Sequence, residues 1–164
     1  MKFKVFISYS TQDLTQVELL RQQLLNTPIE VFVAEHSVLP GEDLGIKITQ
    51  AIAECDLFVV LWSENAESSK WVSQEIGHAK AKNKEILPLV LSKGLGLPAF
   101  ISNLKYLPVH ENTEAALTKA RELIVAGYNK KSQALQAQEA KKQKDQEQLF
   151  LLGAGAFLLW AFSK

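Results

Sequence analysis

The feature that most constrains this chain is an uninterrupted apolar run, Leu57–Trp62, which lies between Asp56 and Ser63. A strand without polar alternation must be buried on both faces, and such strands are typical of parallel sheets with helices on each side. The run has the length of a strand and is too short for a buried helix. It therefore predicts a central strand of an α/β domain.

Strand-like and helix-like segments alternate on both sides of this run. In the intervening segments apolar residues recur at helical spacing, and Ser10 with Asp13 forms a capping-box pattern where the first helix begins. A last helix is predicted over residues 112–127. The other strands are predicted at residues 3–8, 29–33, 85–91 and 106–109. Such alternation predicts a flavodoxin-like three-layer sandwich whose five-stranded parallel sheet has the order 2-1-3-4-5.

A tryptophan and a glutamate stand close together in the helix that follows the central strand. Ser68 or Ser69 is predicted to open this helix, and Trp71 and Glu75 are four residues apart, so they share one helix face. In the predicted strand order, strands 1 and 3 diverge at their carboxyl ends, where open α/β sheets bind ligands. The sequence therefore predicts a ligand site at Glu75.

Composition narrows the class of protein. The 164 residues suffice for one domain and an appendage, and 18 basic residues balance 18 acidic ones, which argues against a nucleic-acid partner. A single cysteine, Cys55, excludes an internal disulfide, and the first residues do not resemble a signal peptide, so a cytoplasmic domain is expected. His78 and His110 lack partners at metal-ligand spacing, and no metal site is predicted.

The end of the chain differs from the rest. Residues 128–148 are rich in Lys, Gln, Ala and Glu, which predicts an exposed helix or a linker, and residues 149–162 form a continuous apolar run. As a helix this run spans about 21 Å, against about 30 Å for a bilayer core. We expect a short membrane anchor on the inner face of the cell membrane, preceded by cytoplasmic lysines. A self-association segment and a helix that covers the core are the alternatives.

Three motifs in order carry a resemblance to a known family: Val5–Ser10, the loop from Phe32 to Gly41, and Trp71 with Glu75. Together they resemble a TIR domain, most similar to the bacterial ones, over residues 1–127. The resemblance implies a flavodoxin-like domain that associates with itself or with other TIR domains. Many bacterial, plant and axon-degeneration members cleave NAD+ at the nicotinamide–ribose bond, with NAD+ as substrate and no cofactor.

The resemblance also implies roles for particular residues. The catalytic glutamate of the family falls on Glu75, and Trp71 is either a ligand contact or a packing residue. The nucleotide contacts of the family fall on Tyr9, Ser10, Thr11 and His36. Three of these positions depart from the family: some members carry basic residues at Ser10 and Thr11 and an acidic residue at His36. Contacts with the pyrophosphate and adenosine are therefore expected to differ.

The implied activity is that of an NAD+ nucleosidase or cyclase, which releases nicotinamide and forms ADP-ribose or a cyclic isomer. Self-assembly is expected to activate it, in bacterial antiviral defence signalling. A single carboxylate suits this chemistry, because nicotinamide leaves as a neutral molecule and needs no general acid, unlike the leaving group of an ordinary glycoside. The alternatives are a non-catalytic TIR–TIR adaptor and, more distantly, an enzyme resembling nucleoside deoxyribosyltransferases.

Overall fold

The computed structural model describes the backbone of residues 2–33 and 43–162, and side chains as far as residue 150. The chain divides into two compact units, Met1–Tyr128 and Asn129–Lys164. The first unit contains the whole β-sheet and every residue of the candidate site described below.

The sheet of the first unit has five parallel strands in the order β2-β1-β3-β4-β5, as predicted. The strands are β1 (Phe3–Ser8), β2 (Ile29–Phe32), β3 (Leu57–Trp62), β4 (Glu85–Val90) and β5 (Leu107–Pro108). Every residue of β3 is buried, which confirms the central strand predicted from its apolar run. The predicted flavodoxin-like fold is therefore correct.

Helices connect the strands and cover both faces of the sheet. In residues 2–33 and 43–162 they are α1 (Leu14–Leu24), α2 (Leu44–Glu54), α3 (Glu64–Glu67), α4 (Lys70–Ala81) and α5 (Thr113–Phe162), with 3-10 turns at Thr11–Asp13 and Ala99–Ile101. Ser69 caps α4, because its Oγ accepts a hydrogen bond from the backbone N–H of Val72 at 3.3 Å. The start predicted for this helix is confirmed, whereas the short helix α3 was not predicted.

Two apolar layers lie on opposite faces of the sheet, and β1 contributes alternate residues to each. Val5 and Ile7 belong to the layer under α1 and α5. Phe6 belongs to the layer under α2 and α4, where its ring stacks on that of Phe58 with centroids 5.3 Å apart. The two-residue period of the strand places Ser8 on the Phe6 side, beneath α4.

The predicted capping box at the start of the first helix is wrong. Ser10 occupies the position before the turn Thr11–Asp13, but its side chain makes no capping hydrogen bond. The carboxylate of Asp13 instead accepts hydrogen bonds from residues that follow β3. A carboxylate forms the stronger, charge-assisted contacts, which explains why they replace the local cap.

The prediction that the last helix ends at Gly127 is also wrong, because α5 continues to Phe162. A Cβ on Gly127 would lie 3.0 Å from Cζ of the buried Phe3 ring, so glycine serves close packing here rather than helix termination. The Lys, Gln, Ala and Glu residues that follow are strong helix formers and propagate the helix. Residues 128–148 lie within α5, and most of them are exposed.

The membrane anchor predicted for residues 149–162 is not supported by the structure. Within the part of the chain that the structure describes, no helix is both long enough and apolar enough to cross a membrane.

Candidate active site

A buried glutamate joins helix α4 to the end of strand β1. The inner face of α4 packs on the sheet through Val72, Ile76 and Ala79. Glu75 lies on the same face and is therefore buried, with only 9% of the residue exposed. The hydroxyl Oγ of Ser8, the last residue of β1, donates a hydrogen bond to Oε2 of Glu75 at 2.5 Å. Glu75 therefore lies at the carboxyl edge of the sheet, where β1 and β3 end.

The electrostatic state of this carboxyl is unusual. Burial raises the pKa of Glu75 and the hydrogen bond from Ser8 lowers it by a smaller amount, so that the pKa lies at about 7 instead of 4.5. No lysine, arginine or histidine of the described residues forms an ion pair with Glu75. Burying a carboxyl without a cationic partner costs free energy of folding, and such groups are typical of functional sites.

Trp71 lies one helical turn before Glu75, but it is exposed to solvent whereas Glu75 is buried. More than half of this tryptophan, 57%, is exposed to solvent, although large aromatic side chains are usually well buried. It contributes little to the core and leaves indole surface open to solvent one helical turn before Glu75. A ligand-facing role for Trp71 stays a prediction.

The residues after β1 that were predicted to contact the nucleotide do not all lie together. Tyr9 is half-buried and packs against the layer under α1 and α5, on the other face of the sheet from Glu75. Ser10 is buried with 9% exposure, and Thr11 is exposed on the following turn. His36 and the loop from Ala34 to Glu42 lie outside the described residues. The roles assigned to these residues stay predictions.

A second buried carboxylate, that of Asp13, was predicted from the sequence only as part of a helix cap, and it links the two segments at this edge of the sheet. Asp13 is 6% exposed, and its two oxygens accept hydrogen bonds from Oγ of Ser63 and from Nδ2 of Asn65, the latter at 3.0 Å. Ser63 Oγ also accepts from the backbone N–H of Ala66 at 3.0 Å and so caps α3. This network ties the segment after β1 to the segment after β3.

Asp13→Ala is expected to destabilise the domain by about 2 kcal/mol, because it removes two hydrogen bonds to a carboxylate and leaves the buried donor, the hydroxyl of Ser63, without this acceptor. Urea unfolding monitored by circular dichroism measures this change. Asp145→Ala, which removes an exposed carboxylate from α5, is the matched control and should leave the unfolding midpoint unchanged. Equal midpoints for the two variants would mean that the network does not stabilise the fold.

The sheet order and the placement of Glu75 define the class of this protein. It is a flavodoxin-like domain with a buried carboxyl beside the switch point between β1 and β3, the place where such sheets bind ligands. More particularly, the chain belongs to the TIR domain family, whose family model matches residues 5–124.

Three known proteins are similar to this chain. A probable 2′ cyclic ADP-D-ribose synthase from Brachypodium distachyon is 27% identical over 135 residues, which cover 78% of this chain and 60% of that protein. The structure of a CMP N-glycosidase from Clostridium botulinum is 25% identical with a TM-score of 0.53, covering 71% of this chain and 97% of that one. The TIR domain of a Toll-related receptor from Hydra magnipapillata is 20% identical with a TM-score of 0.59, covering 72% and 97%, and shares the fold.

Proposed function

We propose that this chain is an NAD+-cleaving TIR enzyme, a nucleosidase or cyclase that releases nicotinamide and forms ADP-ribose or a cyclic isomer. The observation that carries the proposal is the buried carboxyl of Glu75, held by Ser8 at the carboxyl edge of the sheet. Family membership and the likeness to a plant cyclic ADP-ribose synthase support it. We further propose that self-assembly activates the enzyme, in bacterial defence signalling.

One carboxylate is sufficient for this reaction. In NAD+ the nicotinamide is a pyridinium and departs as a neutral base, so no proton has to be supplied, and the developing charge is positive on the ribose. A fixed carboxylate beside the ribose stabilises that charge, and the effect is larger in a buried site than in water. Capture of the ribose cation by water gives ADP-ribose, and capture by a group of the same molecule gives a cyclic product.

The test is to incubate the full chain with NAD+ and to separate the products by liquid chromatography with mass spectrometry. We expect nicotinamide, together with linear or cyclic ADP-ribose, at a rate per molecule that rises with protein concentration because assembly activates the enzyme. Absence of nicotinamide at every protein concentration would contradict the proposal and leave the non-catalytic adaptor.

Trp71→Ala is expected to lower NAD+ cleavage about fivefold without loss of stability, since aromatic stacking contributes about 1 kcal/mol and the exposed indole stabilises the core little. Steady-state kinetics and the thermal midpoint measure the two effects. Phe100→Ala, which removes another exposed aromatic ring, is the control and should retain full activity. Equal rates for both variants would assign Trp71 to the surface rather than to the site.

A second candidate function is hydrolysis of a pyrimidine nucleotide, favoured by the likeness to a CMP N-glycosidase. Cytosine is a poor leaving group unless it is protonated, and a carboxyl whose pKa is about 7 carries a proton over much of the physiological range. The two candidates predict opposite pH profiles. Cleavage of CMP should fall as Glu75 loses its proton above pH 7, whereas cleavage of NAD+ should rise.

A further inference from the structure

We propose that Ser8 is a positioning residue for the reaction proposed above: its hydroxyl holds Oε2 of Glu75 and thereby aims Oε1 at the substrate ribose. The inference rests on the proposed function only for the identity of the substrate. The contact between Ser8 and Glu75 stands on the structure alone.

The geometry of the hydrogen bond between Ser8 and Glu75 allows Ser8 to fix the orientation of the Glu75 carboxylate. Ser8 is 1% exposed and lies on a strand that pairs on both sides, with β2 and with β3, so its backbone is held within the sheet. Its Oγ meets Oε2 of Glu75 at 2.5 Å, whereas Oε1 accepts no hydrogen bond from the described residues. A donor on a rigid strand fixes the plane of a carboxylate on a neighbouring helix before substrate arrives. Preorganisation of this kind is what electrostatic catalysis requires.

No charged side chain of the described residues duplicates this role. Helix α4 packs against β1, β4, α2 and α3, whose charged groups are exposed or paired with each other: Lys4, Lys47, Glu54, Glu64, Glu67 and Glu85. His78 follows Glu75 on α4, and Asp13 on the neighbouring loop bonds to Ser63 and Asn65. Burial and the Ser8 hydroxyl are thus the two influences on the pKa of Glu75, with opposite signs.

A positioning role for Ser8 and a merely structural role predict different effects of Ser8→Ala on the pKa of Glu75. If Ser8 only packs beside Glu75 and does not hold its carboxylate by a hydrogen bond, Ser8→Ala lowers stability and leaves the pKa of Glu75 unchanged. If Ser8 orients and stabilises the carboxylate, the same substitution raises the pKa of Glu75, because the hydrogen bond favours the charged form. The pH at which activity reaches half its maximum then rises with it.

The experiment compares the wild type, Ser8→Ala and Ser8→Thr in the full chain, with NAD+ cleavage followed from pH 5.5 to 9. For Ser8→Ala we expect the midpoint of the acidic limb to rise by about one pH unit and activity at pH 7 to fall about fivefold. Ser8→Thr keeps a hydroxyl and should restore the wild-type midpoint. Ser73→Ala, a serine elsewhere on α4, is the matched control. An unchanged midpoint in Ser8→Ala would overturn the proposal.

A second readout separates this inference from the proposed function. The carboxyl carbon of Glu75, assigned by its absence in Glu75→Gln, is titrated by ¹³C NMR without substrate. A midpoint that rises in Ser8→Ala supports the positioning role even if the wild type cleaves no NAD+, in which case only the proposed function fails. A midpoint that stays the same refutes the positioning role whatever the enzyme cleaves.

Discussion

Glu75→Gln is expected to abolish nicotinamide release, with kcat lower by about a thousandfold or more, because the amide cannot supply the charge that stabilises the ribose cation. The substitution keeps the size of the side chain and can still accept a hydrogen bond from Ser8 Oγ, so the local packing is preserved. A loss of activity can then be assigned to the missing charge. Release of nicotinamide from NAD+ at saturating substrate and pH 8 measures it.

Glu67→Gln is the control for this prediction. It makes the same chemical change at an exposed glutamate of α3, close in sequence but without a buried contact, and should leave the rate unchanged. Equal rates for the wild type and Glu75→Gln would remove the catalytic assignment. A group other than Glu75 would then have to stabilise the ribose cation.

The architecture could be predicted from the sequence because its signals are local. The unbroken apolar run of β3 can only be a strand buried on both faces, and the helices on either side have clear apolar periodicity. The position of Glu75 followed from the same reasoning, because Ser69 opens α4 and the helical repeat then places the side chain. Each of these predictions uses only residues that are close to one another in the sequence.

The contacts that complete the site could not be predicted in this way. Ser8 and Glu75 are 67 residues apart in the chain, and Asp13 is 50 residues from Ser63, so no local pattern reports either hydrogen bond. The aspartate matched a helix cap equally well, which is why its role was misread. Gly127 was likewise read as a helix end, although the ring of Phe3 is the reason for a glycine there.

The raised pKa of Glu75 also has a consequence for stability. The folded-state pKa of about 7 lies above the ordinary value of 4.5, so the folded protein binds this proton more tightly than the unfolded chain. The contribution to stability is fully present below pH 4.5 and is lost as the pH rises through 7. At alkaline pH the wild type therefore keeps a buried carboxylate at a cost of about 3 kcal/mol.

Glu75→Gln removes this cost, so the inactive variant should be the more stable protein at alkaline pH. The free energy of unfolding of the variant relative to the wild type is expected to increase by about 3 kcal/mol between pH 4 and pH 8.5. Urea unfolding at both pH values measures it, with Glu67→Gln as the exposed control whose difference from the wild type should not change with pH. A difference for Glu75→Gln that is equally flat would show that Glu75 ionises in the folded protein as it does in water. In that case the buried carboxylate of Glu75 would not lower the free energy of unfolding, and this site would not show a trade-off between stability and activity.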